Sequence, residues 1–116
     1  MKIENAKIVD VFLGYEDHGI FTMMLHLEMD GSWCAFGTHQ LDEYDKETDT
    51  RTGTAYGMDY ITEVLKTVGV DDVMKLKGKH IRIESEGWGS GISRIGHLMK
   101  NVWFDPKEFF ESRLTS

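Results

Sequence analysis

Phe21-Thr22-Met23-Met24-Leu25-His26-Leu27-Glu28-Met29-Asp30-Gly31 is the stretch that decides the fold. Phe21, Met23, Leu25, Leu27 and Met29 fall on one side of a period-two alternation, and Thr22, Met24, His26 and Glu28 on the other. That pattern predicts a strand over 20–29, half-buried in an antiparallel sheet. Asp30-Gly31 suits a tight type I′ turn, so a partner strand follows from Trp33 to about Leu41. Upstream, Ile8, Val9, Val11, Phe12 and Leu13 make 2–13 a first strand, joined through a Gly14–Gly19 turn. The N-terminal third is therefore predicted to be a three-stranded meander.

Residues 42–56 are polar and long for a connection, which predicts a functional lid, an extended hairpin or a locally disordered segment. The period then changes. Met58, Ile61, Val64, Leu65 and Val68 recur at helical spacing over 57–68, with Gly69 as the C-terminal stop. Asp71 is placed to cap a further short turn over 72–76. Lys77-Gly78-Lys79 leads into a fourth strand, 80–85, and a glycine-rich tip at 87–91 leads into a fifth, 92–99. Pro106 opens a short C-terminal helix or tail anchored by Phe109 and Phe110. The expectation is one α+β domain over 1–116, ordered β-β-β-α-β-β, as a five-stranded antiparallel sheet or small open barrel with one amphipathic helix.

Composition narrows the function classes. The 116 residues carry a formal charge of −7, which opposes binding through phosphate neutralisation, although Lys75, Lys77, Lys79, Arg82 and Arg94 leave a local basic strip. No run is long and apolar enough for a membrane-spanning helix, and Met1–Asn5 has no secretory apolar core. With Cys34 as the one cysteine, neither an internal disulfide nor a cysteine zinc cluster is expected, and a cytoplasmic setting follows. His18, His26, His39, His80 and His97 show no metal-ligand spacing, so no metal or other cofactor is expected. His26 and His39 lie on adjacent expected strands and are placed to approach each other.

Catalytic constellations are weak. Cys34 lies within a strand and reads as a small buried hydrophobe, and Asp17–His18 and His80–Glu84 are pairings that chance supplies. Ser90 lacks the strand-to-helix context of a nucleophile elbow, so no catalytic residue is assigned and an enzyme is not expected. Two binding constellations remain. Asp42, Glu43, Asp45, Glu47 and Asp49 form an acidic run suited to a basic protein groove, beside the default reading of a solvated loop. Trp88, at the 87–91 tip, is either an exposed anchor or a ring folded back into the core.

The segments Glu16-Asp17-His18-Gly19, Gly53-Thr54-Ala55-Tyr56-Gly57-Met58, Leu76-Lys77-Gly78-Lys79, Arg94-Ile95-Gly96-His97 and Trp103-Phe104-Asp105-Pro106 together resemble a family of small uncharacterised proteins encoded by bacteriophages and prophages. The resemblance covers most of the chain and brings no site residue with it. It implies a host bacterial cytoplasm and a non-enzymatic inhibitor of a host or defence-system protein, in the manner of anti-CRISPR proteins. The alternative expectation is an accessory protein of phage DNA metabolism. The strand and helix order resembles the oligonucleotide-binding barrel, with Trp33, Phe36 and Trp88 stacking on bases beside Arg82 and Arg94.

Overall fold

A computed structural model describes residues 2–86 and 91–114. The element order is β1 Lys2–Tyr15, β2 Phe21–Met29, β3 Ser32–Gly37, β4 Asp42–Asp45, β5 Thr50–Gly53, α1 Ala55–Val68, a 3₁₀ turn Val73–Lys75, β6 His80–Ser85, β7 Ile92–His97, β8 Trp103–Phe104 and α2 Pro106–Leu114. Six strands form one antiparallel sheet in the order β3-β2-β1-β6-β7-β8, while β4 and β5 pair only with each other. The sheet is open, with β3 and β8 at its edges, so the barrel alternative is corrected. The count of five strands is corrected as well, because Trp103–Phe104 adds a sixth and the polar stretch after β3 holds a separate hairpin.

The alternation of β2 is observed as expected. Met23, Leu25 and Leu27 are buried, His26 and Glu28 are exposed, and Leu25 pairs with Val11 on one side and Phe36 on the other. Thr22 is the exception, buried because its hydroxyl donates to the His39 carbonyl at 2.7 Å. A register shift between Ile8 and Asp10 inserts Val9 as an extra residue, which keeps both Ile8 and Val11 on the core side. Ala6, Ile8, Leu25, Leu27, Phe36, Ile81, Ile83, Ile95 and Phe104 form the sheet's contribution to the core.

Helix α1 packs on that face through Tyr60, Val64, Thr67 and Val68. Its buried stripe is rotated from the expected one. Met58 is 62% exposed, whereas Gly57 and Tyr60 face inward. The start is set by Thr54, whose Oγ1 accepts from the Gly57 amide at 2.9 Å, and the end by Gly69 in the left-handed region at φ 92°. Phe109 and Phe110 of α2 extend the same layer, as the sequence indicates. The result is two layers, helices on one face of a sheet whose other face is open.

Strand β3 stops four residues earlier than expected, at Gly37 rather than Leu41. Gly37 has φ 121° and lies so close to β2 that a Cβ there would sit 2.1 Å from the Met23 carbonyl oxygen. Only glycine fits. Thr38 follows at φ 70°, an unusual conformation for a β-branched residue. Together they turn the chain off the sheet edge and carry His39 toward α1.

Candidate functional site

The stretch expected as a lid, a hairpin or disorder is a hairpin. Asp42 pairs with Gly53, Glu43 with Thr52, Tyr44 with Arg51 and Asp45 with Thr50. Asp49 closes the turn at φ 53°, a conformation that Asp tolerates better than most residues. Residues 43–50 are all exposed. The hairpin is held at its base, where the Leu41 amide donates to the Phe21 carbonyl at 2.9 Å and the Thr54 hydroxyl donates to the Leu41 carbonyl at 2.7 Å.

Five carboxylates of this segment have two different fates. Asp42 is 2% exposed and is not presented to a partner, which corrects its place in the expected contact set. Its Oδ1 accepts from the Phe21 amide at 3.2 Å and from the Arg51 guanidinium at 3.0 Å. Its Oδ2 is buried with no hydrogen-bond partner among the described residues. Glu43, Asp45, Glu47 and Asp49 instead point to solvent, and none of them forms an ion pair among the described residues. Tyr44 stands among them at 48% exposure, its hydroxyl donating to Asp49 Oδ1 at 2.5 Å and its ring 5.7 Å from the Arg51 guanidinium. The bond to Asp49 makes the hydroxyl harder to ionise and fixes the ring.

Strand pairing puts Asp42 and Tyr44 on the Arg51 side of the hairpin, and Glu43 and Asp45 on the other. Glu43 borders an aromatic slot of about 490 Å³, with His39, Gln40, Tyr56, Phe110 and Arg113 as its other walls. The Tyr56 and Phe110 rings meet at 75° with centroids 6.1 Å apart, and His39 lies 5.3 Å from Phe110. His39 Nδ1 shares a 3.0 Å hydrogen bond with the Tyr60 hydroxyl. Burial lowers the His39 pKa, and burial raises that of Tyr60, so both rings are uncharged at neutral pH.

The His39 shift has a consequence for stability. Above its ordinary pKa near 6.5 the ring is neutral in folded and unfolded chains alike, so it contributes no pH dependence there. As pH falls below that value the unfolded chain takes up the proton first, and stability is lost until the folded pKa is passed. His39→Gln keeps a hydrogen-bonding partner for Tyr60 and removes the titration. Urea midpoints at pH 7.5 and 5.5 are expected to differ less for this variant than for the wild type; an equal difference would contradict the assignment.

The nucleic-acid constellation is only partly brought together. Trp33, Arg82 and Arg94 share the open face of the sheet, in the adjacent rows Trp33–Glu28–Lys7–His80, Asn5–Arg82–Gly96–Trp103 and Ile3–Glu84–Arg94. Trp33 is 69% exposed. Phe36 is on the other side, buried in the core against Phe104, which removes it as a stacking platform. Trp88 lies outside the described residues. The two arginines are engaged within the fold. Arg94 pairs with the buried Glu84, Arg82 donates to the carbonyls of His97 and Lys100 at 2.8 Å, and both guanidinium groups lie over Trp103, at 4.2 and 4.7 Å.

His26 faces the open side opposite Ala35, so it does not meet His39, and the expected cross-strand approach is corrected. Among the described residues no group of three or more His, Cys, Asp or Glu is placed to hold a metal ion. Cys34 is half-buried beside the Met29 sulfur, and burial raises its pKa. Among the described residues no helix is long and apolar enough to cross a membrane. Comparison with known protein families, with curated proteins and with solved structures finds no match to this chain.

Proposed function

We propose that this chain is a non-enzymatic protein-binding module that engages a basic surface of its partner through the β4–β5 hairpin. The supporting observation is the division of the carboxylates. Asp42 is folded into the hairpin base with Arg51, while Glu43, Asp45, Glu47 and Asp49, on the same hairpin, form no ion pair among the described residues. Glu43 and Asp45, at i and i+2 on β4, stand about 7 Å apart on one face, and Glu47 and Asp49 follow in the turn that closes the hairpin. Tyr44, already held by Asp49 and Arg51, supplies a rigid aromatic anchor whose ordering cost is met before binding. In the setting that the phage resemblance implies, the partner is a host or defence protein whose basic groove ordinarily holds nucleic acid, and occupying that groove inhibits it.

Capture from nuclease-treated bacterial lysate tests the proposal. The wild type is expected to retain a stoichiometric partner that the variant Glu43→Gln, Asp45→Asn, Glu47→Gln, Asp49→Asn loses. Equal retention by both would contradict it. The nucleic-acid reading draws on Trp33, Arg82 and Arg94 sharing one face, but Glu84 offsets the charge of Arg94 and two carbonyls occupy donors of Arg82, which leaves less to offer phosphate. Oligonucleotide recovered before nuclease treatment, and lost at high salt, would favour that reading instead.

A further inference from the structure

We infer that the slot between the hairpin and α2 takes a single arginine or lysine side chain of the partner, seated against Tyr56 and Phe110 with its charge at Glu43. This rests on the proposed protein-binding function and locates one contact within it. Tyr56 and Phe110 meet nearly at right angles, so one chain presents two aromatic surfaces to a group entering the corner. The π-face of each ring attracts a cation within about 6 Å. The carboxylate of Glu43 stands at the rim, without an ion pair among the described residues, and Asp45 lies on the same side of β4.

The space is ample for one long side chain. A volume of about 490 Å³, open to solvent on one side, accommodates the stem of a long basic residue with its planar or tetrahedral head. His39 at the wall is uncharged at neutral pH and does not repel the head. Arg113 also borders the slot, with its guanidinium 3.0 Å from the Asp59 carboxylate and 4.2 Å from the Phe109 ring. That guanidinium, stacked on Phe109 beside the slot, makes the same kind of cation–ring contact, and Asp59 balances its charge.

The test uses the full chain and N-acetyl-arginine methylamide as the probe, followed by NMR. Titration is expected to shift the ring resonances of Tyr56 and Phe110 with millimolar affinity, the range of a single side-chain contact. The neutral citrulline analogue is expected to bind at least about 5-fold more weakly, consistent with a cation–π contribution of about 1 kcal/mol. Tyr56→Leu is expected to abolish the shifts. Glu43→Gln, a surface change that leaves the fold intact, is expected to weaken binding about 2- to 5-fold.

Equal binding of the citrulline analogue, or preferential binding of N-acetyl-glutamate methylamide beside Arg113, would overturn the inference. The variant Glu47→Gln, Asp49→Asn is expected to retain the probe, because the slot uses neither residue. Continued probe binding alongside unaltered capture of a protein partner by the hairpin-neutralised chain would support the slot and remove the hairpin reading. Loss of capture by that chain, with no probe binding by the wild type, would do the reverse.

Discussion

Gly57→Ala is expected to destabilise the protein by about 2–4 kcal/mol, although the same change inside an exposed helix stabilises it by about 1 kcal/mol. The sign is reversed by the neighbour. A Cβ at position 57 would lie 2.2 Å from the Leu41 carbonyl oxygen and 2.9 Å from Thr54 Oγ1. The first contact is with backbone, which cannot swing aside as the end of a long side chain can. Thr54 is also the helix cap and donates to that same Leu41 carbonyl, so relieving one clash strains the other bond. Either α1 moves away from the 38–42 segment or the cap is lost, and the cap alone is worth about 1 kcal/mol. Thermal unfolding followed by circular dichroism should show a Tm lower by about 10 °C, given roughly 3–5 °C per kcal/mol for a chain of this size. An unchanged or raised Tm would mean that the helix and the 38–42 segment are not packed as described.

Asp42→Ala should be similarly costly, by about 2–3 kcal/mol, because it removes the acceptor of a largely buried pair and leaves its partners behind. The Asp42 side chain is 3% exposed and Arg51 25%, so water can partly rescue the guanidinium, while the Phe21 amide loses its carboxylate acceptor. The full cost of breaking a wholly buried pair therefore does not apply. By contrast, neutralising Glu43, Asp45, Glu47 and Asp49 should leave the urea midpoint almost unchanged, since none of them forms an ion pair among the described residues. The contrast is the informative part. Five neighbouring carboxylates separate into one whose charge holds the hairpin and four whose charges the fold does not need. If the four-fold variant unfolded as readily as Asp42→Ala, the charges would be structural and the binding proposal would lose its basis.

The parts of this fold that could be read in the sequence are those whose signal is local. The alternation of 21–29 and the Asp30-Gly31 turn specify the β2–β3 hairpin through nearest neighbours, and the structure keeps the alternation apart from Thr22. It keeps the two-residue turn with positive φ at Gly31 but not at Asp30, which corrects the expected type I′ geometry. The burial stripe of α1 was harder because it runs through Gly57, Tyr60 and Thr67, residue types that an apolar count passes over. Met58 matches the period and is nonetheless exposed, because Gly57 alone allows the close approach to Leu41. Strand β8 spans Trp103–Phe104, too short to show any period. The hairpin at 42–53 carries no glycine in its turn and no apolar face, so its charges could be read while its shape could not.

The aromatic slot shows the limit most clearly. Its walls come from His39, Glu43, Tyr56 and Phe110, on a post-strand turn, a hairpin and two helices. No spacing rule links such residues. A signal existed at one point only, since Gly37 breaks a strand pattern just before His39. Likewise Trp103, which both open-face arginines cover, carried no sequence mark of its role.

The central claim is that the hairpin, not the overall acidity, selects the partner. The most direct test compares partner capture by the hairpin-neutralised chain with capture by a chain carrying Asp17→Asn, Glu28→Gln, Asp30→Asn and Glu108→Gln. All four control positions are exposed, and the two variants lose equal charge. The hairpin variant is expected to lose the partner and the control to keep it; equal loss, or equal retention, would contradict the account.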